Sequence, residues 1–84
     1  MKWRLFLDIE VIEFLKTVRP RVRERLFAVF DQIRDHPEHC REFTETDATG
    51  RDLSGMIREG FAIFFWDDFA DRHVKIMRVT PADR

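Results

Sequence analysis

Three basic side chains in the second half of the sequence, Arg58, His73 and Lys75, could together bind a phosphate group. Counted in steps of two along the strands that hold them, all three lie on one face of a sheet. Arginine and lysine would bind the anion, and an imidazole can take up or release a proton near neutral pH. The alternative is that they are exposed strand residues beside an acidic loop, so the pattern predicts a candidate site only.

Two large aromatic residues, Phe64 and Trp66, fall on the same face by the same counting. Aromatic side chains on an open sheet can stack on nucleic-acid bases. They can also pack against a partner protein, a second copy of the chain or the chain's own C-terminal tail. We favour packing, and we expect this mixed aromatic and basic face to be a binding surface.

A second basic cluster surrounds the junction of two predicted helices. Its members are Lys16, Arg19, Arg21, Arg23 and Arg25. Arg21 and Arg25 share a helix face because they are four residues apart. This face could bind an acidic partner or nucleic acid, but a solvated face paired with Glu13 and Glu24 is the interpretation that we favour.

Two segments contain side chains that can bind metal ions. Residues 36–40 (HPEHC) offer zinc ligands, but their spacing matches no familiar zinc signature. Residues 67–71 (DDFAD) offer carboxylates, but their spacing does not fit a calcium-binding loop, and a solvated turn is favoured. The sequence therefore predicts no metal site and no cofactor.

Length and composition predict one folded domain that covers residues 1–84. Hydrophobic residues make up 44% and charged residues 37% of the chain, which excludes a disordered protein. The net charge of −1 argues against a dedicated nucleic-acid binder, which is usually strongly basic. No apolar run is long enough to span a membrane, and no leader is evident. The single cysteine suits a reducing cytoplasm and rules out an internal disulfide.

Periodicity and turn residues predict the elements. Residues 2–8 alternate as a half-buried strand, and residues 9–18 form an amphipathic helix with Asp8 as its N-cap. A second helix runs from Pro20 to about residue 35, where His36-Pro37 ends it. Residues 38–52 are mostly loop, and residues 53–58, 61–66 and 72–79 are strands. Glu59-Gly60 forms a tight turn between the first two of these strands.

These elements predict an α+β fold, in which a helical hairpin packs on one face of a four-stranded, mainly antiparallel sheet. We expect an apolar set of strand residues to lie under the helices: Leu53, Ile57, Phe61, Ile63, Phe65, Val74 and Ile76. The open face would then consist of Ser54, Met56, Arg58, Phe64, Trp66, His73, Lys75 and Met77.

The order of these elements resembles that of the RelE/ParE superfamily, the bacterial toxins of type II toxin–antitoxin modules, which include plasmid-stabilisation proteins. The resemblance rests on four segments: KWRLFLD, VIEFLKTVRPRVRERLFAVFDQI, the pattern L-x-G-M-I-R-x-G-F-A-I-F-F-W, and HVKIMRV. It implies a cytoplasmic protein without a membrane partner that is neutralised by a cognate antitoxin. A homodimer or a hetero-oligomer with the antitoxin is also implied.

The superfamily includes ribosome-dependent mRNA endonucleases and inhibitors of DNA gyrase. The resemblance places the cationic side chains of the nucleases at positions that this sequence fills with Ser54, Met56 and Ala62. This sequence also has no tyrosine, which the nucleases use near the C-terminus. The C-terminal cation of a nuclease site could be Arg78 or Arg84. The resemblance therefore slightly favours a toxin that binds its target in the style of a gyrase inhibitor.

Two alternatives stay open. The first is an mRNA endonuclease with a rearranged site, for which the catalytic candidates are Arg58, His73 and Arg78. The second is a non-toxic interaction module that keeps the fold only to bind its partner. Whether the chain is an enzyme is therefore not predicted, and the binding candidates are Arg58, Phe64, Trp66, His73, Lys75, Arg21 and Arg25.

Overall fold

The structure is a computed structural model that describes residues 3–82. Its elements are β1 (Arg4–Leu7), α1 (Ile9–Leu15), α2 (Pro20–Asp35), α3 (Pro37–Cys40), β2 (Phe43–Thr46), β3 (Asp52–Arg58), β4 (Phe61–Asp68) and β5 (His73–Pro81). This order confirms the predicted α+β fold. Two candidate positions from the sequence, Lys2 at the start of the first strand and Arg84, lie outside the described residues. No helix in residues 3–82 has the length and apolar character needed to cross a membrane.

The sheet has five strands, in the order β1-β5-β4-β3-β2. The first strand pairs in parallel with the last, and all other neighbours are antiparallel. The prediction of four strands missed β2, which lies in the segment predicted to be mostly loop. All four residues of β2 are exposed, because it is a short edge strand held by backbone pairing with β3. Such a strand has no apolar periodicity to reveal it.

The helical hairpin begins and ends with local hydrogen bonds. The Asp8 side chain accepts a hydrogen bond from the Glu10 backbone N–H at 3.3 Å, which confirms the predicted N-cap of α1. Helix α1 ends at Leu15, earlier than predicted. Beyond it, the Arg23 guanidinium donates to the carbonyl oxygens of Leu15 and Val18, at 3.0 and 3.3 Å. These bonds satisfy carbonyl groups that the helix leaves unpaired.

The helices pack on one face of the sheet and exclude water from it. The helical side chains in this core are Val11, Leu15, Leu26, Val29, Phe30, Ile33 and Cys40. The strand side chains are Met56, Ile63, Phe65, Val74, Ile76 and Val79. We call this side of the sheet the covered face and the other side the open face.

Strand β3 faces the opposite way from the prediction. Its turn with β4 has only two residues, Glu59 and Gly60, with φ of 56° and 83°. This turn pairs Arg58 with Phe61 and therefore Met56 with Ile63, and paired residues share a face.

The consequence of this register is that Met56 is fully buried under the helices, while Ile57 is 46% exposed. The predictions that Leu53 and Ile57 lie under the helices, and that Ser54, Met56 and Arg58 lie on the open face, were wrong. The prediction relied on the apolar residues within β3 alone and did not apply the strand register that the two-residue hairpin turn imposes.

A bulge in β5 reorients its C-terminal half. Phe65 pairs with Ile76, whereas its neighbour Phe64 pairs with Arg78, so Met77 is the additional residue. Without the bulge, alternation from Ile76 would have turned Arg78 toward the helices. The bulge instead brings Arg78 to the open face and Val79 into the core.

Candidate functional site

The open face of the sheet brings together aromatic rings and cations from four strands and one turn. Strand pairing aligns Phe6 with Lys75, Lys75 with Trp66, and Phe64 with Arg78. On the other side of Phe64, Gly55 of β3 pairs with Phe43 of β2. Neighbours that share a face can therefore form continuous side-chain rows across the sheet.

One row is centred on Phe64. The Arg78 guanidinium carbon lies 4.3 Å from the centroid of the Phe64 ring, and the Phe43 ring meets Phe64 edge-on at 5.8 Å. Arg78 also forms an ion pair with Glu45 at 3.5 Å. Its Nε is buried without a hydrogen-bond partner. Arg78 can therefore interact with an additional acceptor if it changes its rotamer.

A second row is centred on His73. The imidazole lies edge-on between the rings of Phe6 and Trp66, with centroid distances of 5.0 and 5.8 Å. The Arg51 guanidinium covers the Trp66 ring at 5.3 Å. His73 Nδ1 is buried without a hydrogen-bond partner and lies 3.9 Å from an Asp71 carboxylate oxygen. The two rings therefore fix the imidazole in the face while one of its nitrogens stays available.

Two of the cations of this face are matched by carboxylates. Lys75 pairs with Asp8 at 3.5 Å, as Arg78 does with Glu45. Each pair neutralises a charge that a phosphate would otherwise meet. The open face thus offers aromatic surface and directed hydrogen-bond donors, without the strong positive field typical of tight nucleic-acid binding.

Four of the predicted open-face residues are brought together as expected, namely Phe64, Trp66, His73 and Lys75. Arg58 is not with them, because the corrected register turns it to the helix side, where it pairs with Glu42 at 3.6 Å. The predicted catalytic candidates therefore do not form one cluster. His73 and Arg78 share the open face, and Arg58 lies on the opposite one.

The basic residues of the helical hairpin separate into two groups. Arg21 and Arg25 are exposed on α2, and Arg25 lines a cavity of about 430 Å³ with Arg58, Gln32 and other residues. Arg23, by contrast, is half-buried and donates to backbone carbonyls of the helix junction. Its role is therefore structural, and Arg21 and Arg25 remain the docking candidates of this cluster.

The sequence did not point to Phe6, Phe43, Glu45 and Arg51 as residues of the site. Phe6 could have been found, since β1 alternates and its other side holds Leu5 and Leu7. Phe43 and Glu45 are two apart in a stretch that could be extended. Arg51 lies in a turn, where no sequence periodicity indicates the direction of a side chain.

The two segments with metal-binding side chains behave differently. The rings of His36 and His39 stack at 5.9 Å, and Cys40 is buried in the core. Burial raises the pKa of the Cys40 thiol, which keeps it protonated and a poor metal ligand at neutral pH. In the second segment, ligand atoms of Asp68 and Asp71 approach that of His73, all within 4.8 Å of one another.

Comparison with known proteins identifies the fold. No protein-family model matches the sequence, and no curated protein matches it. Solved structures do match. The RelBE2 toxin–antitoxin complex from Mycobacterium tuberculosis superposes with a TM-score of 0.80 and 13% identity, over 96% of this chain and 99% of the matched chain. The archaeal RelE–RelB complex from Pyrococcus horikoshii gives 0.76 and 16%, over 100% and 99%.

The intact RelBE toxin–antitoxin complex of E. coli gives a TM-score of 0.73 and 16% identity, over 98% of this chain and 99% of the matched chain. The chain therefore has the RelE-type fold, and the resemblance seen in the sequence is confirmed at the level of the fold.

Proposed function

We propose that this chain is the toxin component of a type II toxin–antitoxin module, which acts in the bacterial cytoplasm and is neutralised by a cognate antitoxin. The observation behind the proposal is that the fold agrees with chains of RelE–RelB complexes over nearly the whole length of both partners. In addition, the open face gathers aromatic and cationic side chains that no other element of residues 3–82 covers.

The toxin acts by binding a macromolecular target through the open face, with DNA gyrase as the preferred candidate. The corrected register supports binding over RNA cleavage. The open-face positions of β3 are Leu53, Gly55 and Ile57, and Ala62 of β4 pairs with Thr80. The side chains of Leu53, Ile57 and Ala62 are aliphatic and Gly55 has none, so these positions cannot stabilise charge on a phosphate in a transition state. Two of the cations that are present, Lys75 and Arg78, are paired with carboxylates.

A groove that suits the antitoxin lies on the helix side of this chain. Between α1, α2 and β1 lies a cavity of about 380 Å³ whose lining includes Leu7, Leu15 and the partly exposed Ile12 and Phe27. An amphipathic helix binds such a groove by its apolar side. Lys16 at the rim would favour an acidic residue on the polar side of that helix.

The test is expression of the chain alone and together with any short reading frame that adjoins its gene. We expect growth arrest with the chain alone and rescue by the neighbour. The purified chain should inhibit DNA supercoiling by gyrase, and RNA from arrested cells should show no new cuts within codons. Normal growth without the neighbour would instead support a non-toxic interaction module.

Matched variants locate the surface. Trp66→Ala and Arg78→Met should lose toxicity, because both alter the open face. Arg41→Met is the control, since Arg41 is also exposed and paired with an aspartate, Asp67 at 3.4 Å, but it lies off the open face. Equal toxicity of all three variants would contradict the proposed surface.

A ribosome-dependent mRNA endonuclease is the second candidate, and the available Nδ1 of His73 beside cations of the open face favours it. It predicts codon-specific cuts that disappear in His73→Ala and Arg78→Ala. Arg58→Ala should leave cleavage intact, because Arg58 lies on the opposite face. Cleavage that survives in both open-face variants would exclude this candidate.

A further inference from the structure

We propose that Asp68, Asp71 and His73 form a binding site for one divalent transition-metal ion, with Mn²⁺ as the clearest probe. The site lies at the turn between β4 and β5, at one end of the open face. It does not depend on the proposed toxin activity, since it is argued from these three side chains alone.

The backbone holds two of the ligands in register. Asp68 at the end of β4 pairs directly with His73 at the start of β5, and Asp71 lies in the turn between them. The three ligand atoms already lie within 4.8 Å of one another. Ligands of a first-row metal ion are about 3–3.5 Å apart, because each lies about 2.0–2.2 Å from the ion. Small side-chain rotations of the two aspartates would therefore close the site.

The imidazole nitrogen provides independent support. His73 Nδ1 is buried without a hydrogen-bond partner, although the side chain is still 14% exposed. The nearest Asp71 oxygen, at 3.9 Å, is too far for a hydrogen bond. A buried nitrogen without a partner is costly, and structures normally satisfy it. Phe6 and Trp66 hold the ring in this orientation, so an ion between the nitrogen and the carboxylates would satisfy it without moving the imidazole.

The electrostatics also favour a cation at this position. Within residues 3–82, no lysine or arginine forms an ion pair with Asp68 or Asp71. The adjacent Asp67, in contrast, is paired with Arg41. Two carboxylates without a compensating lysine or arginine, together with an imidazole nitrogen, attract a divalent ion.

The donor set selects the class of metal. Imidazole nitrogen suits zinc, copper, iron and nickel, and the two carboxylates also suit manganese, whereas Mg²⁺ and Ca²⁺ prefer oxygen ligands throughout. Three protein ligands leave coordination positions for water or for an oxygen atom of a bound partner. The spacing of the acidic residues in the sequence did not suggest this site, because His73 joins them only through the turn.

The experiment uses the full chain without an affinity tag. Mn²⁺ is titrated in and its free concentration is followed by electron paramagnetic resonance. We expect one equivalent to bind with micromolar affinity and Mg²⁺ not to compete at equal concentration. Pulsed measurements on the bound ion should show coupling to an imidazole nitrogen. Thermal unfolding should shift upward by about 5 °C or more at a metal concentration a hundred times Kd.

Variants assign the ligands. Asp68→Asn and Asp71→Asn should each weaken Mn²⁺ binding at least tenfold, and His73→Gln should remove the nitrogen coupling. Asp31→Asn is the matched control, since it removes an exposed aspartate on α2. The double substitution of His36→Asn with His39→Asn tests the other histidine pair and should change nothing.

Three results would overturn the proposal. They are no binding to the parent chain at millimolar Mn²⁺, affinity within twofold of the parent in both aspartate variants, or loss of binding in the His36 and His39 variant. Melting curves in EDTA show whether each variant folds. If a variant does not fold, the absence of nitrogen coupling in the parent chain would itself exclude the site.

Discussion

Phe64 and Phe65 are neighbours in β4 that point to opposite faces of the sheet, and each is removed from water in a different way. Phe65 is fully buried beneath α1 and α2. Phe64 is 5% exposed, and on the open face the Phe43 ring and the Arg78 guanidinium pack against it. One ring is buried beneath helices, and the other is covered on the open face by surface side chains.

The two rings differ in which groups must move before each ring is exposed to water. Exposing Phe65 requires displacing helices whose own apolar faces would then meet water. Exposing Phe64 requires only that Phe43, which is 36% exposed, and Arg78 adopt other rotamers. The open face therefore contains apolar area that a partner could reach without unfolding the protein. This is the property expected of a binding surface.

The largest expected effect tests this contrast directly. Phe65→Ala should lower the free energy of unfolding by about 3–5 kcal/mol, because it leaves a closed cavity in the core. Phe64→Ala should cost only about 2 kcal/mol, the transfer term alone, since its surroundings are side chains that can collapse or admit water. Urea unfolding followed by circular dichroism measures both. Equal losses would show that the open face is packed as rigidly as the core.

The next effect concerns Gly55, which lies directly beneath the Phe43 ring. A Cβ at this position would overlap that ring, so Gly55→Ala must push Phe43 aside. We expect a loss of about 1 kcal/mol, at the lower end for an overpacked site, because the ring is at the surface and can swing out. Amide hydrogen exchange should quicken in β2 and stay unchanged in β4. Unchanged exchange in β2 would mean that the ring does not hold the edge strand.

A smaller change in stability is expected for Arg78→Met. The substitution removes the cation over Phe64 and the ion pair with Glu45, but it also removes a buried Nε that has no partner. These contributions oppose each other, so the stability should change by less than about 1 kcal/mol. Growth assays should nevertheless show loss of the proposed toxicity. A large loss of stability with toxicity retained would reverse the interpretation of this face.

The smallest effect should appear only in acid, at the turn between β2 and β3. The pKa of the Asp47 carboxyl is held below its ordinary value of 3.8, chiefly by the hydrogen bond from the Thr49 hydroxyl and also by the Arg51 backbone N–H. Its carboxylate therefore stabilises the fold at pH values above the unfolded pKa, and this contribution disappears as the pH falls through the folded pKa.

The corresponding variant, Asp47→Asn, should show a flatter dependence of stability on pH below about pH 4 than the parent chain. Nuclear magnetic resonance titration of the Asp47 carboxyl checks the premise. A pKa at or above 3.8 in the folded protein would contradict it.

The sequence was sufficient for the elements that have a strong period. Helix α2 was predicted from Pro20 to about residue 35, as observed, because its apolar stripe is regular and proline marks both ends. The N-cap at Asp8 and the turn at Glu59-Gly60 were also predictable from residue types with known backbone preferences.

The candidate site was only partly predictable, because faces depend on register. In β3 the apolar pair Leu53 and Ile57 suggested the wrong inward face, although the two-residue turn already implied that Met56 pairs with Ile63. In β5 the bulge at Met77 cannot be seen in the alternation, and it decides where Arg78 points. The approach of Asp68, Asp71 and His73 arises from a turn that brings together residues with no recognisable spacing.

The parallel pairing of β1 with β5 has a consequence for synthesis. The strand that begins the described chain finds its only sheet neighbour in the strand that ends it, and Leu5 and Leu7 align with Val74 and Ile76. Because β5 lies between β1 and β4, the sheet cannot close while residues 73–81 are still inside the ribosome. Helices can form earlier, but the core that fixes them cannot. The covered face of the sheet is therefore completed only after residues 73–81 have left the ribosome.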